Sequence, residues 1–190
     1  MNQIEYCYCI GGDSSFIRDV TQFLDEEMRP IFDELNWKEN AEKFKKVQSL
    51  NVRRVYTADA FSSGFLILGT YVFTKFSDKI FEFIFAERMR GRFNTIMRKI
   101  LDKVWPLKKK SIVYQNLAYI SDMDVSIVIR TVLNCESDLE AVFEDMKKVS
   151  IVAYEWLISN GKKANIHCYT IKDGRYPLVP SLFNSIEEVK

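Results

Sequence analysis

Residues 59–105 constrain this chain more than any other stretch. They open with an uncharged run of 15 residues, Ala60 to Thr74 (AFSSGFLILGTYVFT), and continue through an aromatic stretch (KFSDKIFEFIF). A basic tail follows: from Arg88 to Lys110 nine Lys and Arg stand against one acid, Asp102. A bilayer span needs ~20 apolar residues, and Lys75, Asp78, Lys79 and Glu82 interrupt any extension of the run. One straight helix over 60–104 would be about 68 Å long at 1.5 Å per residue, too long for a compact domain of 190 residues. A break is therefore expected at Gly69, at 74–78 or at Gly91, and residues 60–74 fit a helix or a strand. Phe61, Phe65, Phe73, Phe76, Phe81, Phe83 and Phe85 lie on more than one side of any helix through them, and such a helix needs cover all round.

The rest of the chain alternates strand and helix patterns. Ile4, Tyr6, Tyr8 and Ile10 repeat with a period of two, which predicts a first strand over 2–10 that Gly11-Gly12 ends. Phe16, Val20, Phe23 and Leu24 repeat at helical spacing, and Pro30 interrupts that helix. Ser111 to Ile120 (SIVYQNLAYI) and Val125 to Leu133 (VSIVIRTVL) flank the polar turn Ser121-Asp122-Met123-Asp124, which predicts a hairpin. Ser137-Asp138-Leu139-Glu140 has the form of a capping box, with Ser137 as the cap. The helix it opens runs to Asn160-Gly161, where glycine can take positive φ. A last strand spans Ala164 to Ile171 and ends at the Asp173-Gly174 turn, and the tail allows one short closing helix.

This order, βαββαβ, predicts an α+β protein with a ferredoxin-like antiparallel sheet. Its first crossover is swollen into a large helical insertion, residues 13–106. No linker or repeat divides the chain, so residues 1–190 read as a single domain. With 47% apolar and 14% aromatic residues the chain can bury a real core. Only seven Gly and four Pro argue against a turn-rich all-β fold.

Charge and cysteine usage bound the function. The net charge of +1 excludes binding of polyanions by bulk charge, although the signs are segregated. Asp19 to Glu42 carries eight acids against Arg29 and Lys38, so the basic tail can be answered within the molecule, and nucleic acid is not the expected partner. The four cysteines form no CxxC, and no basic-then-apolar leader precedes them, so a cytoplasmic protein with reduced thiols is expected. Cys7 and Cys9 share one face of their strand, and a zinc site with Cys168 on a neighbouring strand is conceivable.

Three chemistries find candidate residues in the chain. Palm-type nucleotidyl transferases and cyclases share the βαββαβ order and hold two metal ions with acids at the end of the first strand and in the hairpin. Asp13, Asp122 and Asp124 occupy those places here, and clustered carboxylates suit hard divalent ions. Gly11-Gly12-Asp13 resembles the Gly-Gly-Asp of diguanylate cyclases, where that string sits in the hairpin turn instead. Asp and Ser are also what turns and caps prefer. His167, the one histidine, adjoins Cys168, but strand neighbours point to opposite faces, which speaks against a nucleophilic pair. An apolar helix followed by cations also suits an anionic membrane interface.

The leading expectation is a non-catalytic interaction protein without cofactor, of the inhibitor, immunity or assembly-subunit kind. It would bind a protein partner or itself through the 60–105 region, with Phe65, Phe73, Phe76, Phe81, Arg88, Arg90, Arg92, Arg98 and Lys99 at the surface. A palm-type enzyme using Asp13, Asp122 and Asp124 and a peripheral membrane binder are the alternatives.

Overall fold

The computed structural model describes residues 5–12, 66–74, 94–95, 97–99, 101–102, 112–134 and 136–189. They build a mixed β-sheet with a long helix against it. The strands are β1 (Glu5–Gly12), β2 (Leu66–Thr74), β3 (Ile112–Ile120), β4 (Val125–Leu133), β5 (Ile166–Ile171) and β6 (Ser181–Phe183), and helix α1 spans Leu139–Asn160. The sheet order is β1-β2-β3-β4-β5-β6. β1 and β2 are antiparallel, β2 and β3 parallel, β3 and β4 antiparallel, β4 and β5 parallel, and β5 and β6 antiparallel.

Two expectations are corrected here. The sheet is mixed, not antiparallel throughout. The ferredoxin-like order would seat the first strand between the two strands that flank α1, whereas β4 and β5 pair directly. The uncharged run explains part of the difference. Residues 66–74, inside the expected helical insertion, form a strand hydrogen-bonded between β1 and β3. Their β-branched and aromatic content suits a strand with neighbours on both sides. Residues 94–95, 97–99 and 101–102 are helical, with Met97 and Leu101 buried. The remainder of 13–106 lies outside the described residues.

The β3–β4 hairpin forms as the turn chemistry demands. Met123 N–H donates to Ile120 O at 3.3 Å, and Asp124 takes φ 48°, a left-handed conformation that Asp tolerates better than most side chains. At the other end of β5, Lys172 and Arg175 bridge across Asp173 (φ 51°) and Gly174 (φ 70°), two successive positive φ values of the kind a tight Asp-Gly turn uses.

Helix α1 starts one residue later than the capping box implies. Its cap is Asp138, whose carboxylate accepts from the Glu140 and Ala141 N–H groups at 3.0 and 3.2 Å. Ser137 is occupied elsewhere: its hydroxyl accepts from Asn134 N–H at 2.9 Å and closes the 134–137 turn. A carboxylate at this end also meets the positive end of the helix dipole. Gly161 ends the helix at φ 65°, donating its N–H to Leu157 O at 2.8 Å.

The core lies between α1 and one face of the sheet. Leu139, Phe143, Met146, Val149, Ala153 and Leu157 form the buried stripe of α1. His167 packs edge-on against Trp156 of α1, which assigns His167, Tyr169 and Ile171 to the helix side. Register then places Ile127, Ile129 and Thr131 of β4 and Tyr114, Asn116 and Ala118 of β3 on that side too. All of these are buried. Each aliphatic side chain so enclosed contributes roughly 1.5–3 kcal/mol. The second face carries Leu117, Val128, Ile166 and Cys168, covered in part by Phe183, Ile186 and Val189 from the C-terminal segment and its 3₁₀ turn (Ile186–Glu188). Burial on both faces explains why β3 and β4 read as apolar runs rather than as an alternation.

Candidate functional site

Three places collect chemistry-bearing side chains: the 121–124 turn, the His167–Cys168 pair and the second face of the sheet. At the turn, Asp124 accepts from the Tyr119 hydroxyl through Oδ1 and from Lys162 Nζ through Oδ2, each at 2.9 Å. Those two hydrogen bonds, Lys162 first, hold its carboxyl below the usual range. Burial, and then the Asp124 carboxylate, push the Tyr119 phenol up. The cluster ties the hairpin to the loop after α1, and Ser126 N–H donating to Asn165 O at 2.8 Å reinforces that junction. Both carboxylate oxygens are already engaged, which suits a structural tie better than a metal ligand.

Register bears on the three aspartates. Gly12, the residue bonded to Asp13, aligns with Leu66, Ile112 and Leu133. The turn with Asp122 and Asp124 lies beyond Ile120 and Val125, at the other end of the same strands. Eight residue steps along β3 are about 26 Å at 3.3 Å each. Asp13 itself lies outside the described residues. Among the described residues no group of His, Cys, Asp and Glu is arranged to hold a metal ion.

His167 and Cys168 point to opposite faces, as strand geometry requires. Fully buried on the helix side, His167 accepts through Nε2 from the Lys163 and Ala164 N–H groups at 3.3 and 3.4 Å. An accepting Nε2 is unprotonated, so the ring is neutral with its proton on Nδ1, which has no partner among the described residues. Burial, and secondarily Lys162, lower its pKa. Its role is to seal the turn that feeds β5. Cys168 sits on the second face, where burial pushes its thiol up, and a thiol so disposed is a poor nucleophile. Cys7 shares a register row with Tyr71, Leu117, Val128 and Cys168. The row crosses four strand spacings, about 19 Å, so the zinc site imagined from sequence does not form.

The expected docking residues divide. Phe73 lies in β2, in register with Glu5 and Tyr119. Arg98 and Lys99 are exposed on the helical turns near the start of α1, where Arg98 donates to Ser137 O at 3.5 Å and Asn94 donates to the Glu140 carboxylate. Phe65, Phe76, Phe81, Arg88, Arg90 and Arg92 lie outside the described residues. Sequence reasoning missed a different surface. Leu178, Val179 and Leu182 are 69%, 63% and 45% exposed, on β6 and the segment leading into it. β6 is the last strand of the sheet and pairs only with β5 among the described strands. Its signal is present in YPLVPSLF, an apolar string punctuated by prolines.

No helix among the described residues is long and apolar enough to cross a membrane. The chain matches no family model, and neither the curated proteins nor the solved structures compared with it contain a match.

Proposed function

We propose that the protein is a non-catalytic interaction protein that docks onto a second copy of itself through the β6 edge of its sheet. The observation that carries this reading is the exposure of Leu178, Val179 and Leu182 together at that edge. Large apolar side chains grouped at a surface mark a partner contact. Docking is assigned to this edge because its exposed side chains are described, whereas most of the 60–105 segment lies outside the described residues. Pro177 and Pro180 bracket Leu178 and Val179, and β6 is only three residues long. Side-chain burial rather than a long backbone ladder therefore supplies the affinity. A second copy is the partner of choice because an antiparallel edge lies against itself across a two-fold axis, so one patch serves both subunits. A net charge of +1 sets up no long-range repulsion between copies.

Light scattering on the purified chain tests this. A mass of twice 22.3 kDa is expected for the native chain, and 22.3 kDa for Leu178→Asp and Leu182→Asp variants that keep the native circular dichroism. A native chain that runs as a monomer at every concentration, or a dimer that survives both substitutions, sinks the proposal.

A further inference from the structure

The loop from Lys162 to Asn165 is tied to three parts of the fold, and buried His167 holds one of the ties. Its Nε2 accepts from the Lys163 and Ala164 N–H groups. Lys162 Nζ bonds Asp124, and Asn165 O accepts from Ser126 N–H, which attaches the β3–β4 turn. The Asn165 amide donates to Asn184 O at 3.1 Å, which attaches the residue after β6. β6 pairs with β5 at only three positions, and one of them sets Leu182 directly opposite His167. The ring therefore lies beside the shortest described strand, and short edge elements open at the lowest cost.

Among the described residues, no group packed on the ring favours a charge there. α1 presents Trp156, edge-on at a centroid distance of 4.9 Å, and register presents Ile127 of β4 and Leu182 of β6. None of these titrates. Tyr169, next on the same face of β5, keeps a neutral phenol because burial pushes its pKa up. The loop brings Lys162 and the exposed Lys163; Lys162 acts on the ring and opposes protonation. Its partner Asp124 stays ionised where histidine titrates, since its carboxyl is held below the usual range. A proton on Nε2 would turn the acceptor of two N–H groups into a third donor facing them. We propose that His167 is an acid-sensitive latch: its protonation frees the 163–164 backbone and releases the β6 edge while α1 and the β3–β4 hairpin stay folded. The open form gives the imidazolium the water that the closed form denies it. The latch stands on contacts within the chain and does not depend on docking, although the edge it releases is the one assigned to docking.

Amide hydrogen exchange on the full chain tests it, at one protein concentration and at pH 7.5, 6.5 and 5.5, with rates corrected for the intrinsic pH dependence of exchange. If opening exposes one group of ordinary histidine pKa, about 6.5, the open population rises about tenfold between pH 7.5 and 5.5. Protection at Lys163, Ala164 and 181–183 should fall by that factor. It should also be nearly independent of urea below the unfolding transition, because a local opening exposes little surface. Protection of β3 and β4 should be higher and should decline with urea. His167→Gln keeps an acceptor and cannot titrate, so the pH dependence at 163–164 and 181–183 should be lost. His167 is the only histidine of the chain, so its ring proton resonances report on the native protein without any variant. Their titration midpoint should mark the pH at which the fall in protection levels off. Unchanged protection in the native chain, a fall that persists in His167→Gln, or exchange at 163–164 and 181–183 in step with β3 and β4 at every urea concentration overturns the latch. Concentration dependence reads docking and pH dependence reads the latch, so either can fail alone.

Discussion

His167 should make this protein lose stability as pH falls below about 6.5. In the folded chain the ring is enclosed between α1 and β5, and its Nε2 already accepts two backbone N–H groups. Protonation would put a second donor against those donors and a charge into a dry core. Burial, with help from Lys162, therefore lowers the folded-state pKa below the ordinary histidine value. The sign follows from linkage. Between the lowered folded value and 6.5 the unfolded chain binds the proton and the folded chain does not. Stability is thus full above the unfolded pKa and drains away as pH falls through it, flattening below the folded value. One proton taken up only by the unfolded state costs up to about 1.4 kcal/mol between pH 7.5 and 5.5. At a denaturant slope of roughly 2 kcal/mol per molar urea, the midpoint should drop by about 0.7 M. Carboxylates add their own titration at lower pH, so the informative quantity is the difference from His167→Gln, which keeps an acceptor and cannot titrate. Urea melts of both chains at pH 7.5, 6.5 and 5.5 measure it. If the two midpoints fall in parallel, His167 is protonated in the folded state and the enclosed neutral ring is wrong.

Further outcomes follow from single groups. Asp138→Ala removes the acceptor of two N–H groups at the start of α1 and should cost about 0.5–2 kcal/mol in urea melts at pH 7. Asp138→Asn should recover most of it. The Tyr169 hydroxyl is buried without a partner among the described residues, and burial pushes its pKa up. Tyr169→Phe should therefore be neutral or stabilising by up to about 1–3 kcal/mol; a clear loss would mean the hydroxyl is bonded. A Cβ at Gly161 would meet nothing within 4 Å, so the cost of Gly161→Ala, roughly 1–3 kcal/mol, should come from the backbone conformation alone (φ 65°, ψ −171°). Gly161→Asn should cost a similar amount, and a thermal melt of each reads it.

Local structure was legible in the sequence because local chemistry decides it. The 121–124 turn, the Asp173-Gly174 turn, the stop at Gly161 and the apolar stripe of α1 all carry their instructions within a few residues. The cap was misread by one position because Ser137 and Asp138 are both good caps, and a hydrogen bond to Asn134 chooses between them. Residues 66–74 were undecided for a stronger reason: an apolar run without alternation fits a helix buried all round or a strand covered on both faces, and only its neighbours settle which. Sheet order depends on pairings between residues far apart in the chain, such as Leu66 with Ile112, and periodicity does not encode them.

Docking at the β6 edge is tested most directly by amide hydrogen exchange over 178–183, measured across a hundredfold range of protein concentration. Self-association there should slow exchange in that segment as concentration rises and leave the interior strands β3 and β4 unchanged. Exchange at 178–183 that is equally fast at every concentration would contradict it.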